Sequence, residues 1–459
     1  MKFVGRQNEI NSIEYLLKDG GFQGVCVYGR RRLGKTELLK HCLLNKGVPA
    51  IIYQCNQDSE LNNTLALTKS IEDELGLSHL HFDSFIDAIE FIFIESKKKT
   101  IYFVIDEYPF IRNLVKGLDS KIQKIIDDYH SSTKLKFFLS GSSISIMEDV
   151  ISRNNPLYRR FSLSILLKEM DYYDSSLFYP SFSLEDKVRL YSAFGGVPFY
   201  NEQINSKLSV KENIILLLSG KFAHLGDDVT INLKSELSKV NNANAVFSSI
   251  ANGAFHYSDI LSKSHVSSSP SLADTLEKLQ RMDLIENISP INDKNNKMKS
   301  GYQISDNAIR FYYRYIYHNL SSLNIMDSNL FYDTFINDDF ESFFVPKTFE
   351  IIVKQYLIRQ NIERKLDPIL LDIGTYWYDN PKERKNGQFD VVGKAKDGYI
   401  FYEVKFTNSK ITDQIIEEEI NEVKNTNLNA IDFGFASKSG FNLNRKYSYK
   451  FITLEDIYK

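Results

Sequence analysis

The chain has few cysteines and no long apolar run, and these absences exclude several classes of protein. Only 3 of the 459 residues are cysteine, an odd number without metal-ligand spacing, so a reducing environment fits best. No stretch approaches the roughly eighteen uninterrupted apolar residues of a membrane span. Residues 1–6 lack the apolar core of a secretory signal. We therefore expect a cytoplasmic protein with no membrane partner.

An excess of charge of either sign is also lacking. The net charge of −3 excludes a globally basic protein, so any contact with nucleic acid must use local patches. A length of 459 residues exceeds what one hydrophobic core usually serves, which indicates two to four domains.

Short apolar runs alternate with amphipathic helical patterns through about the first 170 residues. Continuous apolar strands that alternate with helices are typical of a parallel sheet covered on both faces. This part therefore predicts an α/β domain. The predicted strands are 24–28, 50–55, 101–105, 136–139 and 163–167.

The first strand leads into a glycine-rich loop and then a helix. The pattern G-x-x-x-x-G-K-T in that setting is a phosphate loop, in which backbone N–H groups surround an anion at a helix N-terminus. Its lysine can reach the β- and γ-phosphates, and its threonine can coordinate Mg²⁺. The sequence thus predicts a nucleoside triphosphate site. Its residues are Gly29, Arg30, Arg31, Arg32, Leu33, Gly34, Lys35 and Thr36.

Two carboxylates end the third predicted strand, at the sheet edge where ligands of such folds bind. Asp106 is expected to hold Mg²⁺ through water, and Glu107 to polarise the attacking water. The next strand ends in small polar residues, of which Ser140 or Ser142 can sense the γ-phosphate; an ordinary strand-end turn is the alternative.

Six motifs occur in a fixed order through the first half of the chain. They are Phe3-Val4-Gly5-Arg6, the phosphate loop, Ile105-Asp106-Glu107-Tyr108, Leu139-Ser140-Gly141-Ser142-Ser143, Pro156-Leu157-Tyr158-Arg159-Arg160 and Gly195-Gly196-Val197-Pro198. Together they resemble the archaeal-type P-loop ATPases, relatives of AAA+ and STAND ATPases. The resemblance implies ATP as the nucleotide, a helical lid and a winged helix after the ATPase core.

Members usually carry Gly then Arg after Pro-Leu-Tyr. Here Arg159 replaces the glycine and Arg160 takes the arginine position. The resemblance therefore implies Arg160 as an arginine finger that reaches a phosphate in a neighbouring subunit, and with it a homo-oligomer. For an arginine alone, a surface or ion-pair role is the alternative.

The pattern changes twice after the ATPase core, which we place at 1–170. Short helices fill 171–228, the expected lid. Residues 229–305 show three helical patterns and then a polar hairpin, which is typical of a winged helix–turn–helix. The remainder, 306–459, predicts a linking helix and a second α/β domain.

The predicted winged helix offers little to a phosphate backbone. Its third helix, 271–282, has balanced charges, which does not favour base-specific reading of DNA. The hairpin offers Lys294, Lys297 and Lys299, although lysines on a turn are usually only solvated.

A second group of acidic residues lies in the last domain. Glu403 and Lys405 are two residues apart on a predicted strand and leave it on one face, and Asp390 joins them if the neighbouring strand pairs as a hairpin. Glu350 on the preceding helix can complete the cluster. Carboxylates with a lysine can hold a divalent metal ion and activate water for phosphodiester cleavage.

The order helix-Glu, Asp, Glu-x-Lys resembles the PD-(D/E)XK, or restriction-endonuclease-like, fold. Glu350, Asp390, Glu403 and Lys405 match its motif, which implies Asp390 and Glu403 as ligands of a second divalent metal ion. The stretch Gly374-Thr375-Tyr376-Trp377 resembles the C-terminal domain often attached to archaeal-type ATPases. A catalytically inactive, structural sheet is the alternative.

These features predict an ATPase that couples its nucleotide state to a nuclease-like domain directed at DNA. Two alternatives remain open: an ATP-switched DNA-binding regulator, and a signalling ATPase with protein partners, each with an inactive C-terminal domain. No base-reading motif distinguishes ATP from GTP apart from the resemblance.

Overall fold

The computed structural model describes residues 3–223, 225, 240, 242–296, 298–380, 385–425 and 428–459, and for residues 380, 385, 386 and 425 it describes the backbone only. Two compact units divide the chain, Met1–Glu169 and Met170–Lys459. The predicted lid–winged helix boundary at 228/229, the first part of the helical pattern before 242, and Lys297 lie outside the described residues. The four-part division is finer than these two units and stays a prediction.

The first unit is built on a five-stranded parallel sheet in the order β2-β3-β4-β1-β5. Strands β3 and β4 are buried at every position because helices cover both faces, as continuous apolar strands require. The five strands match the predicted ones to within two residues. They are β1 Gln23–Tyr28, β2 Ala50–Gln54, β3 Tyr102–Asp106, β4 Lys136–Gly141 and β5 Leu163–Leu166.

Seven described helices surround this sheet. Two of them begin at serine side chains, Ser59 and Ser84, which accept a hydrogen bond from the third backbone N–H of the helix and so satisfy a free donor. The helices are Gln7–Leu17, Lys35–Leu43, Glu60–Leu75, Phe85–Glu95, Tyr108–Leu114, Leu118–Tyr129 and Ile144–Ile151. All three cysteines are buried and unbridged here, which agrees with the expected reduced state.

The second unit begins with helices and a small hairpin. Helices Ala243–Ala251, Tyr257–Ser264 and Ser269–Arg281 precede two short antiparallel strands, β6 Ile285–Ile288 and β7 Gly301–Ile304, and the winged helix stays a prediction. Among the described residues, π-helical turns lie at Ile215–Ser219, Tyr312–Ile316 and Phe340–Phe344. The helices are Tyr172–Ser176, Leu184–Phe194, Pro198–Asn201, Val210–Ile214, Ala243–Ala251, Tyr257–Ser264, Ser269–Arg281, Asn307–Phe311, Leu320–Ile325, Ser328–Phe335 and Asn337–Asp339.

A mixed five-stranded sheet forms the rest of this unit, in the order β14-β12-β10-β9-β8. Strands β8, β9 and β10 are antiparallel neighbours, whereas β10, β12 and β14 are parallel. The elements are helix Val345–Ile362, β8 Asp372–Asn380, β9 Lys385–Lys394, β10 Tyr399–Lys405, β11 Ile411–Thr412, helix Asp413–Asn425, β12 Ala430–Ser437, β13 Phe441–Asn442, β14 Lys450–Thr453 and helix Leu454–Ile457. The predicted α/β fold class is confirmed in both units.

The loop between β6 and β7 pairs with the edge strand β8. The Ile291 N–H donates to the Thr375 carbonyl at 2.8 Å, and the Asn292 side chain bonds both peptide groups of Trp377. Lys294 forms an ion pair with Asp372. Ile291 is buried in the core of the C-terminal sheet. One of the hairpin lysines is thus engaged with a carboxylate of the same chain.

Candidate functional site

The phosphate loop lies between β1 and the helix Lys35–Leu43. Gly29 is needed because a Cβ there would lie 2.3 Å from the Leu167 carbonyl oxygen, and its φ is +150°. Gly34 has φ of 83° and precedes the first helical residue, a conformation that glycine adopts without strain. These two positions explain why the loop carries glycine at each end.

Lys35 is buried inside this loop. Its Nζ donates to the carbonyl oxygens of Gly29 and Arg30, each at 2.8 Å. Arg30 is also buried, and its Nη1 lies 3.3 Å from Glu169 Oε1, whereas Arg31 is exposed. The loop cations therefore differ in environment: Lys35 faces backbone oxygens and Arg30 faces a carboxylate.

The carboxyl end of β3 meets the phosphate loop at Asp106. Thr36 Oγ1 donates to Asp106 Oδ2 at 2.6 Å, and Ser140 Oγ donates to Oδ1. Asp106 is only 1% exposed. Thr36 and Ser140, two predicted site residues from different elements, thus meet at the buried carboxylate of a third, Asp106.

Glu107 follows Asp106 in the left-handed conformation, with φ of 51°. Its Oε2 accepts hydrogen bonds from the Ser142 hydroxyl at 2.8 Å and from the Ser142 backbone N–H at 3.2 Å. The two serines that the sequence offered as phosphate sensors therefore each bind one of the two predicted carboxylates.

Arg160 lies in an ion pair within its own chain. Its Nε and Nη2 donate to the two carboxylate oxygens of Asp127 at 2.8 and 2.9 Å, which lowers the pKa of Asp127. Arg159, where the resemblance expects glycine, has φ of 62°. Glycine adopts that conformation without the steric cost that a Cβ brings, so the local backbone suits the glycine that the resemblance expects here.

Sequence reasoning missed the part that Arg6 plays near this loop. Its guanidinium is buried and donates to the Lys168 carbonyl at 2.6 Å and to the Leu33 carbonyl at 3.4 Å. The Gly5-Arg6 motif was the signal available in the sequence. In the structure both residues have positive φ.

Residues 3–204 match the model of a family described as an ATPase domain predominantly from Archaea. The N-terminal part of this chain is similar to an archaeal-type P-loop ATPase domain, and we call it the ATPase domain. A Walker-type ATPase of Pyrococcus abyssi has a similar fold, with a TM-score of 0.50 and 18% identity, covering 68% of this chain and 96% of that one. An uncharacterized protein of Methanocaldococcus jannaschii is 28% identical over 418 residues, 90% of this chain and 89% of that protein.

The region beyond the ATPase domain matches a family without an assigned activity. Residues 312–426 match a family described as archaeal and bacterial proteins of unknown function. The nuclease-like activity of this region therefore stays a prediction. No described helix is both long and apolar enough to span a bilayer.

Two of the predicted C-terminal carboxylates converge on a lysine that the sequence reasoning missed. Lys347 Nζ lies 2.8 Å from Asp390 Oδ2 and 3.1 Å from Glu350 Oε1. Burial, and then the nearby Asp390 carboxylate, raise the pKa of Glu350 to about 7. Burial alone would raise the pKa of Asp390, but Lys347 and Gln388 together lower it.

Glu403 and Lys405 form their own ion pair on β10, and Lys405 also lies 3.7 Å from Glu419. The antiparallel register of β9 and β10 pairs Tyr402 with Val391, and Glu403 and Asp390 are the next positions along the two strands. Residues opposite each other in such a pair share a face. Burial, and then Glu403, raise the pKa of Glu419 to about 7.

The carboxylates do not form a metal-binding group of their own. Within the described ranges, no three or more His, Cys, Asp or Glu side chains are arranged to hold a metal ion. The predicted second metal site at Asp390 and Glu403 therefore lacks a third acidic ligand among those residues. Asp390 pairs with Lys347, and Glu403 pairs with Lys405.

Proposed function

We propose that the ATPase domain binds and hydrolyses ATP with Mg²⁺ at the phosphate loop. The observation that carries this proposal is the network that joins Thr36, Asp106 and Ser140. Hydroxyl and carboxylate oxygens are the ligands that Mg²⁺ prefers, so Thr36 and Asp106 fit the ion directly or through water. When bound, the ion neutralises the charge of the phosphates.

Lys35 changes its partners when the triphosphate binds. Its Nζ now donates to two backbone carbonyls, and phosphate oxygens are stronger, charged acceptors in the same loop. The loop N–H groups donate hydrogen bonds to the same anion, and its oxygens replace the two carbonyls as acceptors for the ammonium group.

Glu107 orients and polarises the attacking water. Its bond to Ser142 holds the carboxylate at the end of β3, beside the metal ligand Asp106. Ser140 and Ser142 then act by positioning these two carboxylates. Arg160 from a neighbouring subunit completes the site in a homo-oligomer, which requires it to exchange Asp127 for a phosphate.

The test measures ATP affinity by calorimetry and ATP hydrolysis in Lys35→Ala, Glu107→Gln and a control, Lys40→Ala. Lys40 lies on the same helix but is exposed and pairs with Glu37. We expect Lys35→Ala to abolish binding, Glu107→Gln to retain binding but lose hydrolysis, and the control to match the wild type. Intact ATP affinity in Lys35→Ala would refute the proposal.

As a second candidate, we propose that the C-terminal domain acts on DNA as a metal-dependent nuclease under the control of the nucleotide. The shared face of Asp390 and Glu403, with Lys405 two residues on, supports this candidate. A second divalent metal ion would be held by those carboxylates and would activate water for phosphodiester cleavage.

Plasmid cleavage with Mg²⁺ or Mn²⁺, with and without ATP, tests this candidate. Activity should disappear in Asp390→Ala, and cleavage that survives the substitution removes the site assignment. DNA affinity that changes with nucleotide and falls steeply with salt, without cleavage, favours the DNA-binding regulator instead. Indifference to nucleic acid, with a co-purifying protein, favours the signalling ATPase.

A further inference from the structure

The lysine at the start of helix Val345–Ile362 lies between two carboxylates from separate elements. Glu350 lies one helical turn after Lys347, and Asp390 lies on β9. The Lys347 Nζ is within 2.8 Å of Asp390 Oδ2 and within 3.2 Å of both Glu350 carboxylate oxygens. One ammonium group therefore bridges the pair.

The burial of the three side chains is unequal. The Glu350 side chain is 19% exposed and that of Asp390 34%, while that of Lys347 is 44% exposed. Two carboxylates that share one ammonium group and are partly out of water repel each other, and a cation between them reduces that repulsion. Lys347 supplies this cation from within the chain, and its side chain is exposed enough to move into solvent.

A second lysine on the same helix allows the effect of an ion pair to be distinguished from the effect of a lysine that only lies nearby. Lys354 lies one turn beyond Glu350 and interacts electrostatically with Asp390 and Glu350. None of the ion pairs in the described part of the chain uses Lys354, whereas Lys347 is in two. Both lysines interact with the same carboxylates, but burial lowers the pKa of Lys354, and only Lys347 forms ion pairs with them.

We propose that Lys347 is the resident cation of the Glu350–Asp390 pair and excludes a divalent metal ion from it. The ammonium group and a metal ion compete for the same carboxylate oxygens, so the pair accepts a metal ion only when Lys347 has left. This inference deepens the second candidate function, because it adds a step that precedes metal binding at the C-terminal site.

The experiment is a calorimetric titration of nucleotide-free, full-length protein with Mn²⁺, without any activity measurement. Lys347→Met keeps the length of the side chain and removes its charge. We expect it to bind Mn²⁺ at least about tenfold more tightly than the wild type, equivalent to about 1.4 kcal/mol. The gain should disappear in the double variant Lys347→Met/Asp390→Asn.

Two controls define the result. Lys354→Met removes a nearby charge without vacating the pair, and Lys211→Met breaks an ion pair with Asp333 far along the chain. Neither should raise the affinity comparably. Equal gains in Lys347→Met and Lys354→Met, or no gain in a Lys347→Met protein that unfolds like the wild type, would overturn the proposal. Because Mn²⁺ binding is measured without DNA, these outcomes are separate from those of the plasmid-cleavage test of the second candidate function.

Discussion

The two carboxylate sites of this chain differ in what binds the carboxylates. In the ATPase domain, Asp106 accepts hydrogen bonds from the neutral hydroxyls of Thr36 and Ser140. In the C-terminal domain, Asp390 faces the ammonium group of Lys347. A hydroxyl orients a carboxylate without cancelling its charge, whereas a lysine cancels it. The first site is therefore prepared for a cation, and the second already contains one.

The largest expected effect concerns Asp106, the carboxylate of the ATPase domain. Asp106→Asn keeps the shape of the side chain and removes its charge, so it should lower kcat for ATP hydrolysis at least about 100-fold, or about 2.7 kcal/mol. Asp390→Asn, the same change at the other site, should leave ATP hydrolysis within about twofold. Steady-state phosphate release measures both, and similar losses would contradict the comparison.

The ATPase site could be predicted because its chemistry is local in sequence. The loop, its lysine and its threonine are contiguous, and Asp106 ends a buried strand that any parallel sheet brings to the same edge. The antiparallel pairing of the strands that carry Asp390 and Glu403 was also predictable, because these two strands are adjacent in sequence.

The hydrogen-bond and ion-pair partners of several site residues could not be predicted. Ser142 lies 35 residues from Glu107, Lys347 lies 43 from Asp390, and the Lys168 carbonyl lies 162 from Arg6. Such pairs depend on how the elements pack, which no spacing rule encodes. A lysine three residues before a helical glutamate looks like an ordinary surface pair until the strand beside it is known.

The next effect concerns the protonation of the C-terminal site. The pKa of Glu350 is raised to about 7 from 4.5, so the folded protein binds this proton more tightly than the unfolded chain. Stability from Glu350 is therefore present at low pH and lost as pH rises through about 7. As the pH rises from about 4.5 to about 7, the free energy of unfolding of the wild type should fall by up to about 3 kcal/mol relative to that of Glu350→Gln.

Urea unfolding of both proteins between about pH 5 and about pH 8 measures this difference. Glu455→Gln, a change of an exposed residue in the same unit, is the control and should show no such trend. A constant difference between wild type and Glu350→Gln would show that burial does not perturb this carboxyl group.

A smaller effect concerns the contacts that hold the β6–β7 loop, in comparison with those that hold the phosphate loop. The phosphate loop is held by close backbone approach at Gly29, whereas the β6–β7 loop depends on the Asn292 side chain, which bonds both peptide groups of Trp377. Asn292→Ala should destabilise the second unit by about 1–2 kcal/mol. Trp377 is the only tryptophan, so its fluorescence reports the change. Asn252→Ala, which loses one exposed bond, is the control.

The smallest effect involves an ion pair of the ATPase domain. Arg160 and Asp127 are 30% and 45% exposed, so water screens their attraction. Asp127→Asn should change the free energy of unfolding by less than about 1 kcal/mol. Breaking this ion pair so that Arg160 can reach a neighbouring subunit would then cost little free energy. A loss above about 2 kcal/mol in thermal unfolding would give this arginine a structural role instead.

The pairing of the β6–β7 loop with β8 limits how the chain can be divided. An exposed edge strand offers free N–H and C=O groups to any other strand and promotes aggregation. Ile291 and Asn292 occupy part of this edge, and Ile291 contributes to the core behind it. A fragment that starts after residue 305 would expose the edge of β8 and the apolar side chains that Ile291 now covers. The hairpin therefore serves the C-terminal sheet as a cap against self-association, and the two segments are best expressed together.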